Sequence, residues 1–129
     1  MAQFNALFAL VGRVLLAFMF VLAGFSKIGG FAGTQQYMES VGVPGALLPL
    51  VILVELGGGL LVALGLFSRW AALALAGFCV AAAFLFHFSP DDQMAMISFQ
   101  KNLAIAGGFL MLTAFGPGAW SFDGAWRRG

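Results

Sequence analysis

Charge is what this sequence has least of. Only 9% of its 129 residues are Asp, Glu, Lys or Arg, and the formal net charge is +1. Without a basic stripe there is nothing to grip a phosphate backbone, so no nucleic-acid partner is expected. Cysteine is nearly absent as well. Cys79 stands alone in an apolar run, which excludes an intramolecular disulfide, a Cys-x-x-Cys redox pair and a cysteine-ligated zinc or iron–sulfur site within one chain. A single histidine, His87, excludes a haem held by two histidines, and with scattered carboxylates it makes no metal site. No Ser/Pro/Gly-rich or highly charged linker divides the chain, so residues 1–129 are expected to form one domain. What fills the sequence instead is apolar: 62% hydrophobic residues and a mean hydropathy of +1.01. That composition belongs in a membrane.

The apolar stretches predict an all-α, integral membrane four-helix transmembrane bundle with spans at about 6–28, 45–67, 70–88 and 98–116. The first basic residue, Arg13, lies inside the first apolar run and not ahead of it, so a retained helix is expected rather than a cleaved signal peptide. Gly29-Gly30 breaks that helix. Over 31–41, Phe31, Gln35, Met38 and Val41 share one side of a short helix suited to the interface. Gly42 suits its end and Pro44 the first turn of the next span. Ser68-Arg69 makes a short turn. Ser89-Pro90-Asp91-Asp92 reads as a helix start with Ser89 as N-cap, and Gly116-Pro117-Gly118 as a stop. Trp120, Trp126, Arg127 and Arg128 then suit the headgroup level. Arg69, Arg127 and Arg128, with Arg13 nearest them, face one side. Lys27 and Lys101, beside Glu39, Asp91 and Asp92, face the other. Both termini are therefore expected in the cytoplasm.

Glu55 is the residue that asks for a reason, because it sits near the middle of a stretch, 47–67, otherwise free of charge. A carboxyl at that depth costs several kcal/mol unless it faces the protein interior or takes a partner. On the first span Arg13, Ala17, Phe20, Gly24 and Lys27 recur at helical spacing and form one inward stripe. On the second, Glu55, Gly58, Gly59, Val62 and Gly65 share a face. Gly24, Gly58, Gly59 and Gly65 are expected to let helices approach closely. An Arg13–Glu55 ion pair is the expected arrangement, either locking two helices in register or lining a polar cavity. Lys27, His87, Lys101 and Asn102 stand at the outer ends of three spans. They either converge on the mouth of that cavity or, for Lys27 and Lys101, snorkel to the headgroups. His87 suits a proton carrier or a hydrogen-bonded anchor. Cys79 reads as core, and the phenylalanines as packing or as the wall of a quinone pocket.

The order of several short motifs resembles the DoxX family of small bacterial four-helix inner-membrane proteins. These are Gly12-Arg13-Val14-Leu15-Leu16-Ala17 leading to Gly24-Phe25-Ser26-Lys27-Ile28, Gly42-Val43-Pro44, Glu55-Leu56-Gly57-Gly58, Gly65-Leu66-Phe67-Ser68-Arg69, Phe86-His87, Lys101-Asn102-Leu103-Ala104 and Gly116-Pro117-Gly118-Ala119-Trp120-Ser121-Phe122-Asp123. The resemblance implies a multi-pass protein of the cytoplasmic membrane associated with redox chemistry. Relatives include the membrane subunit of thiosulfate:quinone oxidoreductase, members described as quinol oxidase subunits and members linked to thiol and oxidative-stress complexes. It transfers no agreed catalytic set. The leading expectation is a quinone-interacting or redox-associated subunit that takes its electron carrier from a bound quinone or a partner protein. Alternatives are a small-solute transporter with Glu55 as the proton-coupled group, and a non-catalytic assembly subunit. The expected surroundings are the lipid bilayer, with a homo-oligomer or redox partner proteins beside the chain.

Overall fold

The computed structural model describes residues 2–87 and 89–128; the side chains of residues 2, 87 and 126–128 lie outside that description. Helix α1, Ala2–Gly29, is 28 residues long. That is about 42 Å at 1.5 Å per residue, longer than a hydrocarbon core of about 30 Å. Helix α2, Phe31–Ser40, follows after one residue. Helix α3, Gly45–Leu64, changes pitch along its length. It opens with a 3₁₀ turn at Gly45–Leu47, relaxes to α at Leu48–Ile52, widens further to a π turn at Leu53–Gly57 and returns to α at Gly58–Leu64. Gly65 stops it in the left-handed region, at φ 70°, a conformation that a Cβ would strain. The predicted second span ran on to residue 67; this glycine ends the helix earlier.

Helix α4, Ser68–Ala82, continues into a second π turn, Ala83–His87. Helix α5 is Gln93–Phe115 and helix α6 is Phe122–Arg128. The start of α5 differs from expectation. Asp92, not Ser89, is its N-cap, its carboxylate accepting from the backbone N–H groups of Met94 and Ala95. An ionised acceptor at the positive end of a helix outbids a serine hydroxyl three residues upstream. Four of these helices, α1 and α3–α5, are long and apolar enough to cross a membrane. The short helix expected over 31–41 is present as α2.

Small residues bring the spans together. Ala17 and Phe20 of α1, Val62 of α3, Ala71, Ala72, Leu75, Ala76 and Cys79 of α4, and Ala106 and Phe109 of α5 form one buried cluster. The rings of Phe20 and Phe109 meet edge to face at 5.4 Å. Because lipid tails are as apolar as leucine, this contact is held by van der Waals packing and not by expulsion of water. The alanines matter for that reason: each larger side chain would push α4 out of reach. A smaller cluster of Met38, Val43 and Leu48 fastens α2 over one end of the bundle.

The opposite end is stitched by polar bonds. Asp123 accepts from the backbone N–H groups of Phe67 and Ser68, each at 2.9 Å, and from the Ser68 hydroxyl at 2.8 Å. It thereby satisfies the orphan donors at the start of α4 from far along the chain. Its own N–H donates to the Gly65 carbonyl at 2.8 Å.

Candidate functional site at Glu55

Glu55 lies on the π turn of α3 and is buried, at 4% exposure. Its partner is Lys27: Nζ stands 2.7 Å from Oε1. The meeting is set by backbone approach. Gly24 is pressed against α3 so closely that a Cβ there would lie 2.8 Å from Leu56 Cβ and 3.1 Å from Leu56 N. Lys27, one helical turn further along the same face of α1, is therefore level with Glu55. The contact at Oε1 is an ion pair at hydrogen-bonding distance, and the carboxylate, with two oxygens and about four lone-pair sites, keeps capacity for a further donor.

The expected Arg13–Glu55 pair is not formed. Arg13 is buried but donates to three backbone carbonyls at the other end: Pro117 at 2.7 Å, Trp120 at 3.1 Å and Ala63 at 3.3 Å. The length of α1 from Arg13 to Gly24 is about 16 Å, beyond the reach of one side chain. Ala63 is in the last turn of α3, at the negative end of the helix dipole. A planar guanidinium with five donors suits several carbonyls better than one remote carboxylate.

Beside the Lys27–Glu55 pair is a cavity of about 250 Å³. Met19, Phe20, Ala23 and Lys27 of α1 form one wall, and Val51 and Glu55 of α3 the next. Phe78, Ala82 and Phe86 come from α4 and its π turn, Asn102 from α5, and Thr34, Tyr37 and Met38 from α2, which closes the outer side. Tyr37 stacks on Phe86 with ring centroids 5.7 Å apart and planes 21° from parallel. Both π turns border this space, one carrying Glu55 and the other Phe86. Such turns recur at functional sites because the extra residue re-aims side chains.

Of the outer residues named from the sequence, Lys27 and Asn102 line the cavity. Lys101 is exposed and does not. The reason is register: neighbours on a helix point about 100° apart, so α5 cannot turn both inward. The side chain of His87 lies outside the described residues. The glycine positions are filled by neighbours as expected. A Cβ on Gly58 would meet Leu75 at 3.2 Å, one on Gly59 would meet Val21 at 3.0 Å, and one on Gly65 would crowd Ser121 and meet Arg13 Cζ at 3.2 Å. Cys79 is buried in the core. Among the described residues no three of His, Cys, Asp and Glu gather as a metal site would need. The polar groups facing the cavity are Lys27, Glu55, Asn102, Thr34 and Tyr37. Sequence reading missed α2 as a wall. The one tyrosine in the chain, on an otherwise weakly amphipathic segment, was the available signal.

The family model described as DoxX matches residues 8–88, which carry Lys27, Glu55 and all of α2. The chain belongs to the DoxX family. It is 54% identical over 114 residues to "Inner membrane protein YqjF" of Escherichia coli (strain K12), a match covering 88% of each chain. It is 39% identical over 121 residues to "Inner membrane protein YphA" of the same organism, covering 88% of this chain and 86% of the relative. It is 33% identical over 112 residues to "Putative oxidoreductase CatD" of Bacillus subtilis (strain 168), covering 80% and 82%. No solved structure matches. With four helices of spanning length and inner-membrane relatives, this DoxX chain is a multi-pass inner-membrane protein.

Proposed function

We propose that this DoxX protein is a redox-associated membrane subunit whose cavity binds the headgroup of a quinone. The observation that carries this reading is the Lys27–Glu55 pair opening into an aromatic-walled space within the spans. A quinone ring needs flat apolar walls, which Phe78, Phe86 and Tyr37 offer. Its carbonyl oxygens need donors, which the Lys27 ammonium and the Asn102 amide offer. A quinol leaving as quinone gives up two protons as well as two electrons. Glu55, its carboxylate held against Lys27, is the group placed to accept one of the two protons, and the other leaves to bulk water. In this reading the electrons pass to a partner protein. The name of one relative, "Putative oxidoreductase CatD", supports the redox half of the reading. Arg13, bonded at the opposite end, has no part in the site.

Quinone content tests this directly. Protein purified in mild detergent should carry extractable quinone, or bind added quinone saturably. Glu55→Gln and Lys27→Met should lower that binding about tenfold, the loss of one charge-assisted contact. Wild-type protein without quinone and without saturable binding would overturn the reading.

We place both termini in the cytoplasm. With Arg13 and Lys27 both occupied inside the bundle, Arg69 and the tail arginines decide the bias. The cavity then opens toward the periplasmic leaflet. Alkaline phosphatase fused after the last residue should be inactive in cells; an active fusion would reverse the orientation.

A further inference from the structure

A second space adjoins the first. It is a groove of about 330 Å³ on the lipid side of α1 and α5, lined by Gly12, Leu15, Leu16, Met19 and Ile105. Met19 belongs to both walls, so a single side chain stands between the groove and the Glu55 cavity. The seam is open because α1 and α5 touch along little of their length, in contrast to the tight packing of α4 on α5. Leu16 lies against Gly108, at 3.3 Å from where a Cβ would be, and makes the floor. Gly12 leaves the far end clear, since a Cβ there would meet nothing within 4 Å.

The two spaces differ in chemistry as the two ends of an amphipathic lipid do. One end has a buried carboxylate paired with an ammonium, Glu55 Oε1 standing 2.7 Å from Lys27 Nζ. The other is wholly aliphatic and runs along α1 for about 10 Å from Met19 to Gly12, parallel to the hydrocarbon chains outside. A water-soluble solute would need only the first. A molecule with its head at Glu55 has its straightest exit past Met19 into a trough that keeps its tail in contact with protein.

We infer that the ligand of the Glu55 cavity carries a long hydrocarbon tail, and that the tail lies in the α1–α5 groove between Met19 and Gly12. The inference rests on the quinone reading and narrows it to a tailed quinone drawn from the bilayer. Gly12→Leu is the informative variant, because a Cβ at this position meets no protein atom within 4 Å and carries the new side chain into the groove's far end. Gly77→Leu, equally unobstructed but on α4 and outside the groove, is its control.

The measurement is equilibrium binding to the full chain in one detergent, using a dimethoxy-methyl-benzoquinone without a tail and the same ring with a decyl tail. Comparing variants in the same micelles cancels the partitioning of the tailed probe. Gly12→Leu should weaken the tailed ring about tenfold, the cost of overfilling a packed site, and leave the tail-less ring within about twofold. Gly77→Leu should change neither. If both rings bind and Gly12→Leu leaves the tailed one unchanged, or weakens both equally, the groove is not a tail site and the quinone reading stands without it. If neither ring binds wild-type protein, the quinone reading falls and the inference with it. Protection of the Cys79 thiol from alkylation confirms that each variant is folded.

Discussion

Removing the lysine of the Lys27–Glu55 pair should cost more than removing the acid. The side chain of Glu55 is 5% exposed and that of Lys27 is 28% exposed. In Lys27→Met the carboxylate is stranded in apolar surroundings, and breaking a buried pair from one side costs about 3–5 kcal/mol. That is about two to three and a half decades in the ratio of folded to unfolded protein. In Glu55→Met the remaining lysine stands in the last turn of α1. Its ammonium can swing outward to the headgroups while the methionine fills the space, so the cost should be about 1 kcal/mol. The double variant should recover to within about 1–2 kcal/mol of wild type, since two apolar side chains replace an ion pair with little loss. It should bind no quinone. Cys79 supplies the assay: it is 1% exposed and the only thiol in the chain. Its reaction on heating in detergent, with a maleimide that fluoresces when it meets a thiol, reports opening of the core. Equal melting of the two single variants, or a double variant no better than Lys27→Met, would refute the asymmetry.

Two further outcomes follow from the packing. Gly24→Ala drives a methyl group against the backbone and Cβ of Leu56. It should cost about 1–3 kcal/mol and lower quinone binding by moving Lys27 off Glu55; an unchanged melting midpoint in the Cys79 assay would contradict this. Arg13→Met frees the carbonyls of Pro117, Trp120 and Ala63, and the buried one, at Pro117, costs about 1–3 kcal/mol when unsatisfied. Proteolysis of the tail in inverted vesicles should quicken while quinone content stays constant, and a parallel loss of quinone would return Arg13 to the site.

The membrane architecture was legible because four apolar stretches of spanning length leave few alternatives in lipid. So was the inward face of α1, since Arg13, Ala17, Phe20 and Gly24, all buried, obey the helical repeat, with Lys27 partly buried at its end. The partner of Glu55 was not legible, and the reason is geometric. Periodicity within a helix fixes which way a residue points, not how far one helix is slid along another. That slide is set by the contact of Gly24 with Leu56, between residues far apart in the sequence. The π turns escaped for a related reason: Leu53–Gly57 carries Glu55 and Ala83–His87 carries His87, but a polar residue in an apolar run does not by itself mark a change of pitch. Asn102 and Lys101 were indistinguishable until the rotation of α5 was known.

The hold of Arg13 on the carbonyls of Pro117 and Trp120 has a consequence for biogenesis. Those acceptors emerge from the ribosome only after every spanning segment has been synthesised, whereas the arginine enters the bilayer in the first. During the interval the cation must be sheltered by water, headgroups or the insertion machinery, so the base of the bundle is sealed last. A chain stopped before Pro117 should strand that cation, and quality-control proteases should remove it faster than the full-length chain.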